Sequence, residues 1–261
     1  MGAGSRSGRS KVTDGVDPRL SIIPRRLAGV KHVLAVTGGK GGIGKSVVAS
    51  VLALVMARRG RFVGLLDLDL TSPTDHVILG LKDEFPTEEL GLEPPNVGGV
   101  RFMSVQYFAR DRAAPLRGRE ITDALIEILA VTCWGELDLL VVDMPPGLSD
   151  AALDAFRVLP RVEFLVVANG SALVLETVRR MLRLLVEVHA PIAGVVENMA
   201  RGRKGAVADL ARTFDVPFAG TIPEDPALEA AFGDPERLVA TAAGQALGGI
   251  AWNLLKRGSA S

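Results

Sequence analysis

Cysteine is nearly absent. The chain carries one, Cys133, among 261 residues. That excludes an internal disulfide and any multi-cysteine metal site built by a single chain. The three histidines, His32, His76 and His189, lie too far apart for ligand spacing. Aromatic residues make up only 5%, so the core must come from Val, Leu, Ile and Ala. Net charge is absent as well, since 30 Lys and Arg balance 30 Asp and Glu. Nothing therefore pushes the whole chain toward nucleic acid or an anionic membrane. No apolar run approaches the roughly 18 residues that cross a bilayer. The first fifteen residues, MGAGSRSGRSKVTDG, lack the apolar segment of a secretory signal. These absences point to a cytoplasmic protein with disordered tails at 1–20 and 258–261 and one domain over 21–257.

Apolar residues are plentiful, at 48%, enough for a large core. They form near-continuous β-branched runs at 32–37, 62–67, 100–105, 137–143, 163–168, 192–197 and 218–222. Unbroken apolar runs suit strands buried on both faces of a parallel sheet. Helical patterns fall between them at 46–59, 121–133, 150–159, 172–188, 206–214 and 236–255. This alternation predicts an α/β fold, a doubly wound, mostly parallel sheet of seven or eight strands with helices on both faces. Residues 82–99, rich in Pro, Glu and Gly, read as a long loop. Cys133, inside an apolar helix, reads as a buried structural thiol.

The first strand leads into Gly39-Lys40-Gly41-Gly42-Ile43-Gly44-Lys45-Ser46. This is G-x-x-x-x-G-K-S between a strand and a helix, the phosphate-binding loop. Its glycines let backbone N–H groups converge on a phosphate, and the helix aims its positive end at the same anion. Lys45 is expected to contact the β- and γ-phosphates, Ser46 to ligate Mg²⁺, and Val47 to complete the nucleotide contacts. Two strands end in carboxylates at the edge where ligands of such folds bind. Leu65-Leu66-Asp67-Leu68-Asp69 offers Asp69 to align the attacking water and Asp67 to support Mg²⁺. Leu139-Leu140-Val141-Val142-Asp143 offers Asp143 to the same ion. Gly147, in the Met144-Pro145-Pro146-Gly147 turn, is a candidate N–H donor to the γ-phosphate and hence a switch element. A guanine-reading [NT]-K-x-D is missing, so ATP is favoured over GTP.

Lys40 makes the loop K-G-G-x-G-K-S, which resembles the MinD/ParA/Mrp class of ATPases. The resemblance implies that Lys40 reaches the partner's nucleotide in a homodimer closed through the nucleotide face, the task of an arginine finger elsewhere. It further implies that Asn198, Pro223 and Asp225 lie near adenine. Within the class the chain is similar to the Mrp/ApbC iron–sulfur carrier ATPases from about residue 17 to 255. The segments VTGGKGGIGKS (36–46), LLDLDLTSPT (65–74), WGELDLLVVDMPPGLSD (134–150), GVVENM (194–199) and GTIPEDP (220–226) carry the likeness. Three departures stand out. Where the family has C-P-x-C after V-x-N-M, this chain reads Ala200-Arg201-Gly202-Arg203-Lys204-Gly205 and cannot supply the cysteines of a shared [4Fe–4S] cluster. Ala168-Asn169-Gly170-Ser171 replaces a T-P-Q, and Ser72 replaces a Gly.

Two functions follow as expectations. The first is a Mg²⁺-dependent ATPase, slow and partner-stimulated, that serves iron–sulfur or metallocofactor assembly with a protein client but without carrying a cluster. The second is a positioning ATPase of the MinD/ParA kind. For that, the C-terminal residues 250–257 would touch a membrane, or the basic clusters at 58–61 and 201–204 would touch DNA. Packed helix and solvated charge are the simpler readings of those segments, so neither nucleic acid nor membrane is expected as a partner.

Overall fold

The computed structural model describes residues 17–69, 73–82, 84–109, 119–147, 156–202 and 205–258. Expectations that fall elsewhere lie outside the described residues. They comprise the tails at 1–16 and 259–261, Ser72, the pair Arg203 and Lys204, and most of the helix read at 150–159, of which residues 156–158 are helical.

Ten strands are present among these residues: β1 (Val33–Gly38), β2 (Val63–Asp67), β3 (Thr87–Glu88), β4 (Leu92–Glu93), β5 (Asn96–Val97), β6 (Val100–Ser104), β7 (Leu139–Asp143), β8 (Val162–Ala168), β9 (Ile192–Ala200) and β10 (Phe218–Pro223). Eight form one sheet in the order β10-β9-β8-β1-β7-β2-β6-β5. Every pairing is parallel except that of β5 with β6. All seven strands read from the sequence are there, within two or three residues at each end. The eighth, β5, came from the supposed long loop. That stretch also holds the small antiparallel pair β3–β4. Two-residue strands are too short for any periodicity, so the loop reading failed there.

The helix Lys45–Arg58 runs beneath the sheet centre with Val48 to Met56 buried on every side. A helix apolar all round is a core helix. Helices Arg119–Val131, Ala172–Glu187 and Ala206–Thr213 pack nearby. The single helix expected at 236–255 is two, Pro235–Ala240 and Ala242–Gly258. Thr241 between them is extended (φ −64°, ψ 158°), and its hydroxyl accepts from Gly244 N. An N-cap inside a continuous apolar pattern breaks the helix without changing its periodicity.

Residues 17–20, read as part of the tail, belong to the ordered body. Pro18–Ser21 is a 3-10 turn capped by Asp17. Arg19 anchors it to Asp123 and Glu127 of the helix Arg119–Val131.

The family-like block at 134–138 serves the frame. Trp134 is fully buried, and its ring lies where a Cβ on Gly64 of β2 would come within 2.8 Å. Gly135 turns the chain at φ +62°, a conformation that favours glycine. Asp138 accepts from Lys31 Nζ at 2.8 Å and from Phe62 N at 3.0 Å, tying the entries of β1 and β2 together. The segment is thus a clamp at the sheet's far edge.

Candidate functional site

Parallel pairing decides which side chains meet. Asp67 lies in register with Asp143 on one side and with Ser104 on the other. Both aspartates end their strands, so two carboxylates are buried next to each other at the carboxyl edge of the sheet. The loop 39–44 leaves β1 between β7 and β8 and enters the core helix at Lys45. Gly42 and Gly44 take φ of +80° and +79°. Gly39 faces the helix Ala172–Glu187, where a Cβ would fall 2.5 Å from Thr177 Oγ1.

Lys45 and Ser46 converge on Asp143. Lys45 Nζ stands 2.6 Å from Oδ1, and Ser46 Oγ donates to Oδ2 at 2.6 Å. Asp67 accepts from Asp69 N at 2.9 Å and from Ser104 Oγ at 3.2 Å. Asp69 is itself nearly buried. The expected phosphate lysine, metal serine and three strand-end carboxylates therefore share one site.

Asp75 joins them, a residue that no motif or spacing singles out. It opens the short helix Asp75–Leu79, where an acid reads as helix-terminus chemistry. The fold buries it completely and directs the hydroxyl of Ser50, one turn beyond Ser46, onto its Oδ1. Its Oδ2 is buried without a hydrogen-bond partner. Carboxylate oxygens of Asp67, Asp75 and Asp143 lie within 4.8 Å of one another. Only a signal reporting which helix turn faces the core helix would have found it.

Burial dominates the electrostatics. Desolvation, reinforced by the charge of Asp143, pushes Asp67 up to about 7. Desolvation and the charges of Asp143 and Asp67 hold Asp75 well above the carboxylate range. Asp143 is raised by desolvation, with Lys45 pulling the other way. An all-oxygen donor set of Ser46 and buried carboxylates, one with an orphaned oxygen, fits a hard divalent cation such as Mg²⁺.

The remaining expected residues are placed as follows. Lys40 is exposed on the loop, as are Gly41 and Gly42; Ile43 is buried. Val47 is half-buried on the core helix. Asn198 is buried, and its amide donates to the carbonyl of Ile43 at 2.9 Å, so it braces the phosphate loop from β9. Gly147 takes φ +79°, and its N–H donates to the carbonyl of Gly38 at 3.1 Å. Pro223 is exposed at the end of β10. Asp225 uses one carboxylate oxygen on Ala227 N and the other on Ala243 N, the role of a helix cap.

Two other readings change. Cys133 sits past the end of its helix, half-buried, and accepts from Arg26 Nη1 at 2.8 Å. In place of the cysteine loop, Arg201 forms a two-bonded ion pair with Glu224. That pair joins the segments that follow β9 and β10. Among the described residues, no helix is long and apolar enough to cross a membrane.

Comparison with known proteins identifies the family and the fold. An iron–sulfur cluster carrier protein of Aquifex aeolicus is 34% identical over 218 residues, covering 77% of this chain and 60% of that protein. The chain thus spans about three-fifths of that relative's length. A NUBP2 homolog of Monosiga brevicollis, described as a cytosolic Fe–S cluster assembly factor, is 37% identical, covering 79% of this chain and 80% of its own. Among solved structures, a nucleotide-binding protein of Archaeoglobus fulgidus in complex with ADP superposes with a TM-score of 0.69 at 30% identity. The match covers 84% of this chain and 92% of that one. The cell-division ATPase MinD of Pyrococcus furiosus, at 22% identity and a TM-score of 0.64, shares the fold. The family description for NUBPL iron-transfer P-loop NTPases of the ParA group matches residues 29–254, and the chain belongs to that family.

Proposed function

We propose that this protein is a Mg²⁺-dependent ATPase that works as a nucleotide-switched homodimer in iron–sulfur or metallocofactor assembly, without carrying a cluster itself. The observation that carries this reading is the meeting of Lys45 Nζ and Ser46 Oγ on the buried Asp143 carboxylate, each at 2.6 Å. Asp143 holds both groups that a nucleotide needs. An arriving triphosphate gives Lys45 a second anionic partner and frees Ser46 Oγ to turn outward. Ser46, Asp67 and Asp143 would hold Mg²⁺, whose positive charge offsets charge on the phosphate oxygens.

Asp69 aligns the water that attacks the γ-phosphorus. The bond to the bridging oxygen breaks, giving ADP and phosphate. Asp67 is shared by this chemistry and by the start of the segment that follows it, so loss of phosphate is felt along the chain toward Asp75. Gly147 donates to the carbonyl of Gly38; a γ-phosphate would compete for the same N–H and move that turn. Lys40, exposed on the loop, serves a second copy of the chain in this reading. Such a cation would offset charge developing on the transferred phosphoryl.

The assembly role rests on the printed names of the relatives and on family membership. The absence of carrying rests on the single cysteine. Light scattering with ATP and Mg²⁺ tests the dimer, and phosphate release tests turnover. Lys40→Ala is expected to lower hydrolysis while nucleotide binding stays largely intact. A protein that stays monomeric with ATP and Mg²⁺, or a Lys40→Ala variant that hydrolyses as fast as wild type, overturns the cross-subunit reading. Anaerobic reconstitution with iron and sulfide is expected to leave the protein colourless.

A further inference from the structure

The charges buried under the phosphate loop do not balance. Asp67, Asp75 and Asp143 bring three carboxylates to one place, and Lys45 is the one lysine or arginine buried among the described residues. With Asp69 also buried beside them, one ammonium leaves at least two carboxylates uncompensated, enough to call for a divalent cation. A nucleotide-dependent Mg²⁺ site needs only one or two carboxylates, because phosphates and water supply the remaining ligands. The third carboxylate is therefore surplus to a nucleotide-held ion.

Its orphaned oxygen points to the same ligand. Asp75 is wholly buried, Ser50 satisfies Oδ1, and Oδ2 meets no donor. We propose that Asp67, Asp75 and Asp143 form a divalent-cation site that fills before any nucleotide arrives, with Asp75 as the ligand that makes it independent of phosphate. It deepens the ATPase reading by giving that site a metal-loaded resting state, and rests on it in taking Asp67 and Asp143 as cation-side groups.

The dimensions allow it. A triangle of oxygens at most 4.8 Å on edge has its centre no more than about 2.8 Å from each corner, and hard divalent cations bind oxygen at about 2.0–2.6 Å. Movements below about 1 Å close that gap, less than a rotamer change supplies. With all ligands oxygen, the site suits Mg²⁺, Mn²⁺ or Ca²⁺ over softer ions. Ser46 and Ser50 lie one helical turn apart on the face that meets these carboxylates, so one helix would carry the phosphate-side and metal-side hydroxyls in register.

The test uses the full chain stripped with EDTA and shown by absorbance to hold no nucleotide. Mn²⁺ alone is titrated in, and its free signal followed by electron paramagnetic resonance. One Mn²⁺ per chain is expected without nucleotide. Asp75→Asn is expected to weaken it about 10- to 100-fold, the usual cost of disturbing a metal's surroundings. Uptake that appears only after ATP or ADP is added overturns the proposal, as does an Asp75→Asn variant that binds Mn²⁺ as tightly as wild type. The wild-type titration stays decisive if the variant does not fold. Binding of a fluorescent ATP analogue to the same preparation separates the two readings. Mn²⁺ uptake without nucleotide binding would uphold the cation site while overturning the ATPase.

Discussion

Replacing Asp75 by Asn should stabilise the metal-free protein, although the residue is buried and hydrogen-bonded. Asn has the same shape, keeps an oxygen for the Ser50 hydroxyl, and puts an N–H₂ where Oδ2 now meets no donor. At 4.8 Å, the upper limit of their separation, and an effective dielectric near 20, each pair of like charges costs about 3.5 kcal/mol. Lys45 compensates Asp143, so a charged Asp75 bears about one such pair, and removing it should recover about 3 kcal/mol. The sign with pH follows from its raised titration. Above the ordinary value of 3.8 the unfolded chain releases a proton that the folded chain retains. Stability of the wild type therefore falls as pH rises, by about 1.4 kcal/mol per unit for one such group, until the folded carboxyl itself ionises. Asn has no such dependence. Thermal unfolding in EDTA should show a gain of roughly 6–12 °C at pH 8, at about 2–4 °C per kcal/mol for a chain of this size, and almost none near pH 4. A variant that melts at or below wild type at pH 8, or gains equally at both pH values, would refute the charge accounting.

Other outcomes follow from single contacts. Gly64→Val should cost about 1–3 kcal/mol by overpacking against Trp134 and Leu137, seen as a lower denaturant midpoint with nucleotide affinity unchanged. Trp134→Ala should cost about 3–5 kcal/mol through the cavity it leaves, again measured by denaturant. Asn198→Ala removes the brace on the Ile43 carbonyl, so nucleotide affinity should drop several-fold in calorimetry while unfolding shifts by about 1 kcal/mol. Lys45→Ala should abolish nucleotide binding. It should also lower the folding stability of the metal-free form by about 3–5 kcal/mol, since it leaves Asp143 buried without its counter-ion; added Mn²⁺ should restore part of that loss.

The frame was legible because burial on both faces writes itself as unbroken apolar runs, and seven of the eight strands of the main sheet were read that way. The phosphate loop was legible because backbone geometry demands glycines at fixed spacing, and Gly42 and Gly44 indeed take positive φ. Asp67, Asp69 and Asp143 were legible because each lies at or just beyond the end of an apolar strand. What escaped depends on tertiary neighbours. Thr241 splits a helix through one hydroxyl, and β5 exists because β6 offers it an edge. Asp75 resembles any acid at a helix start until the fold sets it against two other carboxylates.

Those same neighbours separate two kinds of likeness to the family. The block around Trp134 and Asp138 is retained where it clamps the entries of β1 and β2, far from the phosphate loop. That clamp belongs to the frame and lies apart from the nucleotide-side groups. The segment after β9 has no such duty. There Arg201 and Glu224 close the gap with an exposed ion pair, and exposed pairs contribute little to stability. The pair at 201 and 224 therefore adds little to the fold, whereas Lys45, Ser46 and Asp143 are interlocked at 2.6 Å. A segment without the cysteine pair, beside an intact lysine–serine–carboxylate lock, is the combination on which we base the proposal of nucleotide switching without cluster carrying.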